Sequence, residues 1–138
     1  MNPNPLPMRP PGDVRGHHWT LDLSGCACAP ELLTRRDHLE AFSRQACLDA
    51  GLQVVGCLFH QFVPAGVTGI VLLAESHLSI HTWPDQRFVA LDVYVCNHLN
   101  DNTAKGLALV TRMRQAFCPA QSEQNELPRG SISSLNPA

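Results

Sequence analysis

The 138-residue chain is 44% hydrophobic and 16% charged, a balance that excludes a wholly disordered polymer and fits one domain with its own core. A formal net charge of -2 leaves no broad basic surface, so nucleic acid is not expected as a partner. No run approaches the ~18 apolar residues of a membrane span, and cysteines without an export signal point to reduced thiols and a cytoplasmic setting.

Residues 1–15 are rich in proline, lack a signal-peptide apolar core, and read as a disordered leader. In "HHWTLDLSGC", Trp19, Leu21 and Leu23 alternate on one face, which predicts a half-buried strand at about 17–24. Leu39, Phe42, Ala46 and Ala50 then recur at helical spacing between Thr34, placed to cap the first turn, and Gly51, placed to stop the helix. Four apolar runs follow as strands: "LQVVGCLFHQF", "GVTGIVLLAES", "LSIHTW" and "FVALDVYVC". Their short connections make neighbours antiparallel.

A second helix is expected at about 102–117, with Leu107, Val110 and Phe117 on one face and Asn100 or Asn102 as cap. The polar stretch after Pro119 has room for one edge strand, and residues 129–138 read as a flexible tail. This order gives an α+β fold, an antiparallel β-sheet with two helices packed on one face, as one domain over 16–128.

The segment "AESHLSIHTWPD" (74–85) is the anomaly, because it places Glu75, Ser76, His77, His81 and Asp85 in the most apolar third of the chain. Buried polar groups carry a cost unless they are paired, so packing alone does not explain them. A metal site is not expected: His77 and His81 supply two ligands, and Cys26 and Cys28 lack a second pair at zinc-ribbon spacing. A self-modifying site accounts for the cluster better. Ser76 in a constrained turn can attack the preceding carbonyl and turn the Glu75–Ser76 amide into an ester. Thr68 and His81 could supply a hydroxyl and a base; elimination then leaves dehydroalanine, and its hydrolysis gives a pyruvoyl group.

"GVTGIVLLAESHLSIHTWPD", followed by "ALDVYVC" and preceded by "FHQFVPAGVTG", resembles the core of the short prokaryotic S-adenosylmethionine decarboxylase proenzymes, a pyruvoyl-dependent family. The resemblance runs from about Gly16 to Phe117. It implies cleavage after Glu75 into a beta chain of residues 1–75 and an alpha chain of 76–138, with Ser76 as precursor of the pyruvoyl group and site of the Schiff base with substrate. By the same resemblance His81 and Thr68 assist processing, Cys96 donates the proton during decarboxylation, Phe62 and His81 sandwich an adenine, and Asp85 faces the ribose.

The implied partners are a small-molecule substrate and a second protomer, with sites shared across a homodimer. The implied product is decarboxylated S-adenosylmethionine for spermidine biosynthesis. Thr68 stands where the family usually has Ser, Asp85 where it has Glu, Val95-Cys96-Asn97 where it has Thr-Cys-Gly, and Trp19 where it has Leu. These departures leave ornithine or arginine as alternative substrates on the same fold, and an unprocessed, non-catalytic regulatory homologue as the alternative of another class.

Overall fold

The computed structural model describes residues 15–97 and 100–130. Six strands form one antiparallel sheet: β1 (Gly16–Ser24), β2 (Val54–Gln61), β3 (Val67–Leu73), β4 (Ser76–Trp83), β5 (Phe88–Cys96) and β6 (Gln121–Arg129), in the spatial order β2-β3-β4-β5-β1-β6. Three helices, α1 (Pro30–Thr34), α2 (Arg36–Asp49) and α3 (Thr103–Phe117), cover one face. This is the expected α+β sandwich, with the short α1 added. Among the described residues no helix is long and apolar enough to cross a membrane.

The core lies between sheet and helices. It is built from alternate strand residues, Trp19, Leu21 and Leu23 on β1, Leu78 and Ile80 on β4, and Val89, Leu91, Val93 and Val95 on β5, meeting Leu39, Ala46, Leu109, Val110, Met113 and Phe117 on α2 and α3. Each fully buried aliphatic side chain stabilises by about 1.5–3 kcal/mol. The thiols at Cys26 and Cys47 belong to this core, and burial pushes them up to about 11 and about 12, so they remain protonated and inert at neutral pH.

Several local expectations are corrected. Thr34 ends α1 instead of capping the long helix, and its Oγ1 donates back to the Pro30 carbonyl at 2.9 Å. The acceptor for the first turn of α2 comes from β2, where Gln61 Oε1 takes the Arg36 N–H at 2.7 Å. Asn102 occupies the position before α3, but its side chain donates to the Cys96 carbonyl at 2.8 Å and makes no cap. Leu107 is 46% exposed; the buried face of α3 is Gly106, Leu109, Val110, Met113 and Phe117.

The edge strand β6 is present and runs through Arg129, one residue past the limit expected for the domain. Arg15, assigned from sequence to the leader, is held by its N–H to Arg129 O at 3.0 Å and by its carbonyl, which accepts the Asn97 N–H at 2.6 Å. The rest of the leader and the tail beyond Gly130 lie outside the described residues.

Trp19 is 1% exposed, and α3 makes room for it with a glycine. A Cβ on Gly106 would stand 2.6 Å from Trp19 Cζ3 and 2.9 Å from Val95 Cγ1. Alanine is the better helix former by about 1 kcal/mol, yet Gly106→Ala should lower the melting temperature because the ring is closed in on all sides. Adding Trp19→Leu should turn the effect of Gly106→Ala from destabilising to neutral or favourable, which a double-mutant cycle by thermal unfolding measures.

Candidate active site

β3 and β4 form a tight hairpin. Leu73 pairs with Ser76, and Ala74 and Glu75 make the turn. Glu75 sits at φ +61°, a left-handed conformation that costs a side-chain-bearing residue roughly 1–2 kcal/mol. The Ala74 N–H, donating to Gln53 O at 3.1 Å, holds the turn in place. The peptide bond from Glu75 to Ser76 therefore lies at the most strained point of the hairpin. Ser76 is buried, and its Oγ accepts the backbone N–H of Cys96 at 3.1 Å, tying the first residue of β4 to the last of β5. A cavity of about 500 Å³ opens beside Glu75, Ser76, His77 and Tyr94.

A second cavity of about 230 Å³ lies at the other end of β4 and is lined by Phe62, Thr68, His81, Trp83 and Asp85. Thr68 and His81 are register partners across β3 and β4, and Thr68 Oγ1 is 3.1 Å from His81 Nδ1. Phe62, half exposed, follows β2, and Asp85 sits in the single helical turn Pro84–Gln86 after β4. Thr82 secures this end. Its Oγ1 donates to Leu33 O at 2.6 Å and accepts the Val67 N–H at 2.9 Å.

The structure thus gathers the expected residues into two groups, Glu75 and Ser76 with the backbone N–H of Cys96 in one and Phe62, Thr68, His81 and Asp85 in the other. Within one chain the groups stay apart. Ser76 and His81 are five residues along one extended strand, about 17 Å at 3.4 Å per residue, with side chains on opposite faces. Thr68 and His81, expected to assist processing at Ser76, therefore do not reach it within one chain.

A third polar group, centred on Asp92, was not singled out from the sequence. Asp92 Oδ2 accepts from His77 Nε2 at 2.8 Å and His18 Nε2 at 2.7 Å, and Oδ1 accepts from Ser79 Oγ. Arg129 extends the chain, its guanidinium 2.9 Å from His18 Nδ1. Burial alone would raise the Asp92 carboxyl, but hydrogen bonds from His77, Ser79 and His18 outweigh it and hold the group well below the usual carboxylate range. The signal available in the sequence was an aspartate inside the apolar run "FVALDVYVC", on the face opposite Leu91 and Val93.

His18, His77 and Asp92 bring three ligand-type atoms within 4.8 Å of one another, a set that the ligand count at His77 and His81 did not anticipate. A divalent ion there would displace both imidazole protons and sit beside the Arg129 cation, which opposes it.

Sheet, strained hairpin and divided polar groups define an α+β sandwich protein with a cavity at each end of one strand. A family model described as S-adenosylmethionine decarboxylase matches residues 17–130. The chain is 37% identical over 89 residues to the S-adenosylmethionine decarboxylase proenzyme of Pyrococcus abyssi, which covers 64% of this chain and 63% of that one, a little under two thirds. It is 37% identical over 123 residues to the proenzyme of Geobacillus kaustophilus, covering 86% and 90%. A solved structure, the adenosylmethionine decarboxylase from Aquifex aeolicus, matches with a TM-score of 0.78 and 28% identity over 87% of this chain and 94% of that one. The chain belongs to the S-adenosylmethionine decarboxylase family.

The depressed Asp92 carboxyl has a pH signature. A group whose folded pKa lies below its unfolded value of about 3.9 contributes stability that is present above that value and is lost as pH falls toward the folded pKa. Asp92→Asn should therefore lower the melting temperature near pH 5, and the gap to the native chain should narrow steadily below about pH 4. Thermal unfolding at a series of pH values checks this; a gap that widens in acid would reverse the assignment.

Proposed function

We propose that the protein is a self-processing, pyruvoyl-dependent decarboxylase that cleaves itself after Glu75 and converts S-adenosylmethionine to its decarboxylated form and CO2, a reaction that feeds spermidine synthesis. The observation that carries this reading is the pairing of a strained Glu75–Ser76 turn, hydrogen-bonded to Cys96, with a separate cavity lined by Phe62, Thr68, His81 and Asp85. Family membership supplies the reaction class.

Ser76 fits the role of precursor. Its Oγ is adjacent to the Glu75 carbonyl carbon by covalent geometry, and the left-handed turn favours release of that bond. Attack by Oγ transfers the Glu75 acyl group from nitrogen to oxygen and leaves a free amine on residue 76. A base then removes the Cα proton, the Cβ–Oγ bond breaks, and Glu75 departs as a carboxylate. The dehydroalanine left behind takes up water and loses ammonia, which leaves the ketone. His81 is the base in this reading. When Nδ1–H is donated to Thr68 Oγ1, Nε2 carries the lone pair that a base needs.

The pyruvoyl group supplies an electron sink for the carbanion that loss of CO2 creates. The chain's own residues bind and protonate. Phe62 and His81 offer two ring faces to an adenine, Asp85 offers its carboxylate to the ribose hydroxyls, and the Cys96 thiol delivers the proton next to residue 76.

A second copy of the chain completes the site. His81 and Ser76 cannot meet within one protomer, and the sheet face away from the helices carries Leu58, Ile70, Leu72 and Leu127 exposed. An apolar, unpaired sheet face of this kind calls for a covering layer. In a two-fold dimer the partner's copy of the Phe62, Thr68, His81 and Asp85 group would serve this chain's Ser76 and Cys96.

Denaturing mass spectrometry should find two chains divided at Glu75, the second with a blocked keto terminus, and Ser76→Ala should remain intact. His81→Ala should slow cleavage by roughly 10²–10⁴-fold. Mixed with Ser76→Ala chains, about half of the His81→Ala chains should then be cut, the share that random two-fold pairing places beside an intact His81. Absence of that rescue would refute the shared site. In parallel assays CO2 should be released from S-adenosylmethionine; release from ornithine or arginine alone would overturn the substrate assignment.

A further inference from the structure

Cleavage after Glu75 turns the start of β4 into a free chain end, and it does so where the reactive group must stay in register with Cys96. Free ends fray unless something ties them down. The same chemistry removes a second tether. Ser76 Oγ, which accepts the Cys96 N–H at 3.1 Å in the intact chain, leaves with Glu75. What remains at this end is the backbone ladder and whatever side chains follow residue 76.

Those side chains converge on one carboxylate. His77, the first residue after the new terminus, gives Nε2 to Asp92 Oδ2 at 2.8 Å, and Ser79, two residues on, gives its hydroxyl to Oδ1. Asp92 lies on β5 four residues before Cys96, so the contact joins the severed strand to the strand that carries the proton donor. The His77 ring also stacks on Tyr94, its register partner, at 6.1 Å and 26°. From behind, His18 Nε2 holds Oδ2 at 2.7 Å, and Arg129 on the edge strand steadies His18. Each contact uses atoms that processing leaves untouched.

We infer that Asp92, gripping His77 and Ser79, is the clamp that holds the new N-terminus of β4 after cleavage and keeps residue 76 within reach of Cys96. This rests on the cleavage reading above. Asp92 is a positioning residue and does not touch the substrate. Its contribution is small while the Ala74–Glu75 turn still links β3 to β4, and it becomes decisive once that link is gone. Loosening the end should slow decarboxylation. It should also let the proton arrive at the wrong carbon, which converts the pyruvoyl terminus to alanine and kills the enzyme.

The test compares Asp92→Ala in the self-processed protein and in the uncut Ser76→Ala background, by hydrogen exchange of the segment 77–80. Loss of a charged hydrogen bond predicts about tenfold or more faster exchange in the cut protein, with a much smaller change in the uncut one. Decarboxylation should show a lower kcat at nearly constant KM and a larger alanine-terminated fraction by mass. Asp92→Asn should recover part of both. His77→Phe, which retains a ring against Tyr94 and leaves Asp92 to His18 and Ser79, should reproduce the loss if Asp92→Ala destabilises the whole domain. Equal loosening in cut and uncut chains, an unchanged kcat, or failure of the Asp92→Ala chain to cleave would each overturn the clamp. An unmodified protein that stays one chain would instead overturn the cleavage reading, before Asp92 is altered.

Discussion

Alternation along β4 is the constraint from which the rest follows. Ser76, Leu78, Ile80 and Thr82 are buried on the helix side, while His77, Ser79, His81 and Trp83 face the open side. Leu78 opposite Val93 and Ile80 opposite Leu91 fix the register with β5, because a slip of one residue would drive two imidazoles into the core and expose two aliphatic side chains. Two core residues thus decide where every polar group of the strand stands. The same period explains the division of the site, since an even and an odd position on a straight strand cannot converge.

Around that strand the chain stiffens the neighbouring ends with side chains borrowed from other elements. Asn97, nearly fully buried, follows Cys96 and accepts the Asn102 N–H at 2.7 Å while its amide donates to Thr103 Oγ1 at 3.0 Å. It braces the start of α3, which gives a structural reason for an asparagine where the family resemblance implied a glycine. Trp19 and Gly106 are a comparable pair, a larger side chain on the sheet met by the smallest on the helix. Gln61 serves α2 in the same way from β2. For Trp19 with Gly106 and for Gln61 with Arg36 the partner is distant in sequence.

That distance marks what was legible in the sequence. β5 could be bounded at Phe88 and Cys96 because its apolar positions alternate without interruption and turn residues precede it. Thr34 misled because a threonine before a helical run is a local signal, and the true acceptor lies 25 residues from the N–H that it takes. The family resemblance assigned Phe62, His81 and Asp85 to the substrate and Thr68 with His81 to processing, and all four line one cavity. The gap between His81 and Ser76 was hidden because five residues look close in a sequence and are far apart in an extended strand. Asp92 and Arg129 escaped notice for a related reason. One reads as an interruption of an apolar run and the other as tail, and only the pairing of β1 with both β5 and β6 brings them to His18.

The geometry of the open face also limits how a second copy can be used. Two sheets stacked face to face can be related by a two-fold axis lying between them. If that axis crosses β4 near its middle, at Ser79, it reverses the strand, so the end carrying Ser76 on one protomer meets the end carrying His81 on the other. One contact would then complete two sites at once. The Asp92 group, which sits opposite Ser79 in the ladder, would fall close to the axis and face its own copy. Two carboxylates approaching across a symmetry axis repel, and the hydrogen bonds that Asp92 receives from His18, His77 and Ser79 disperse its charge and lessen that repulsion. The network that holds the end of β4 is in this arrangement also what lets the open faces come together.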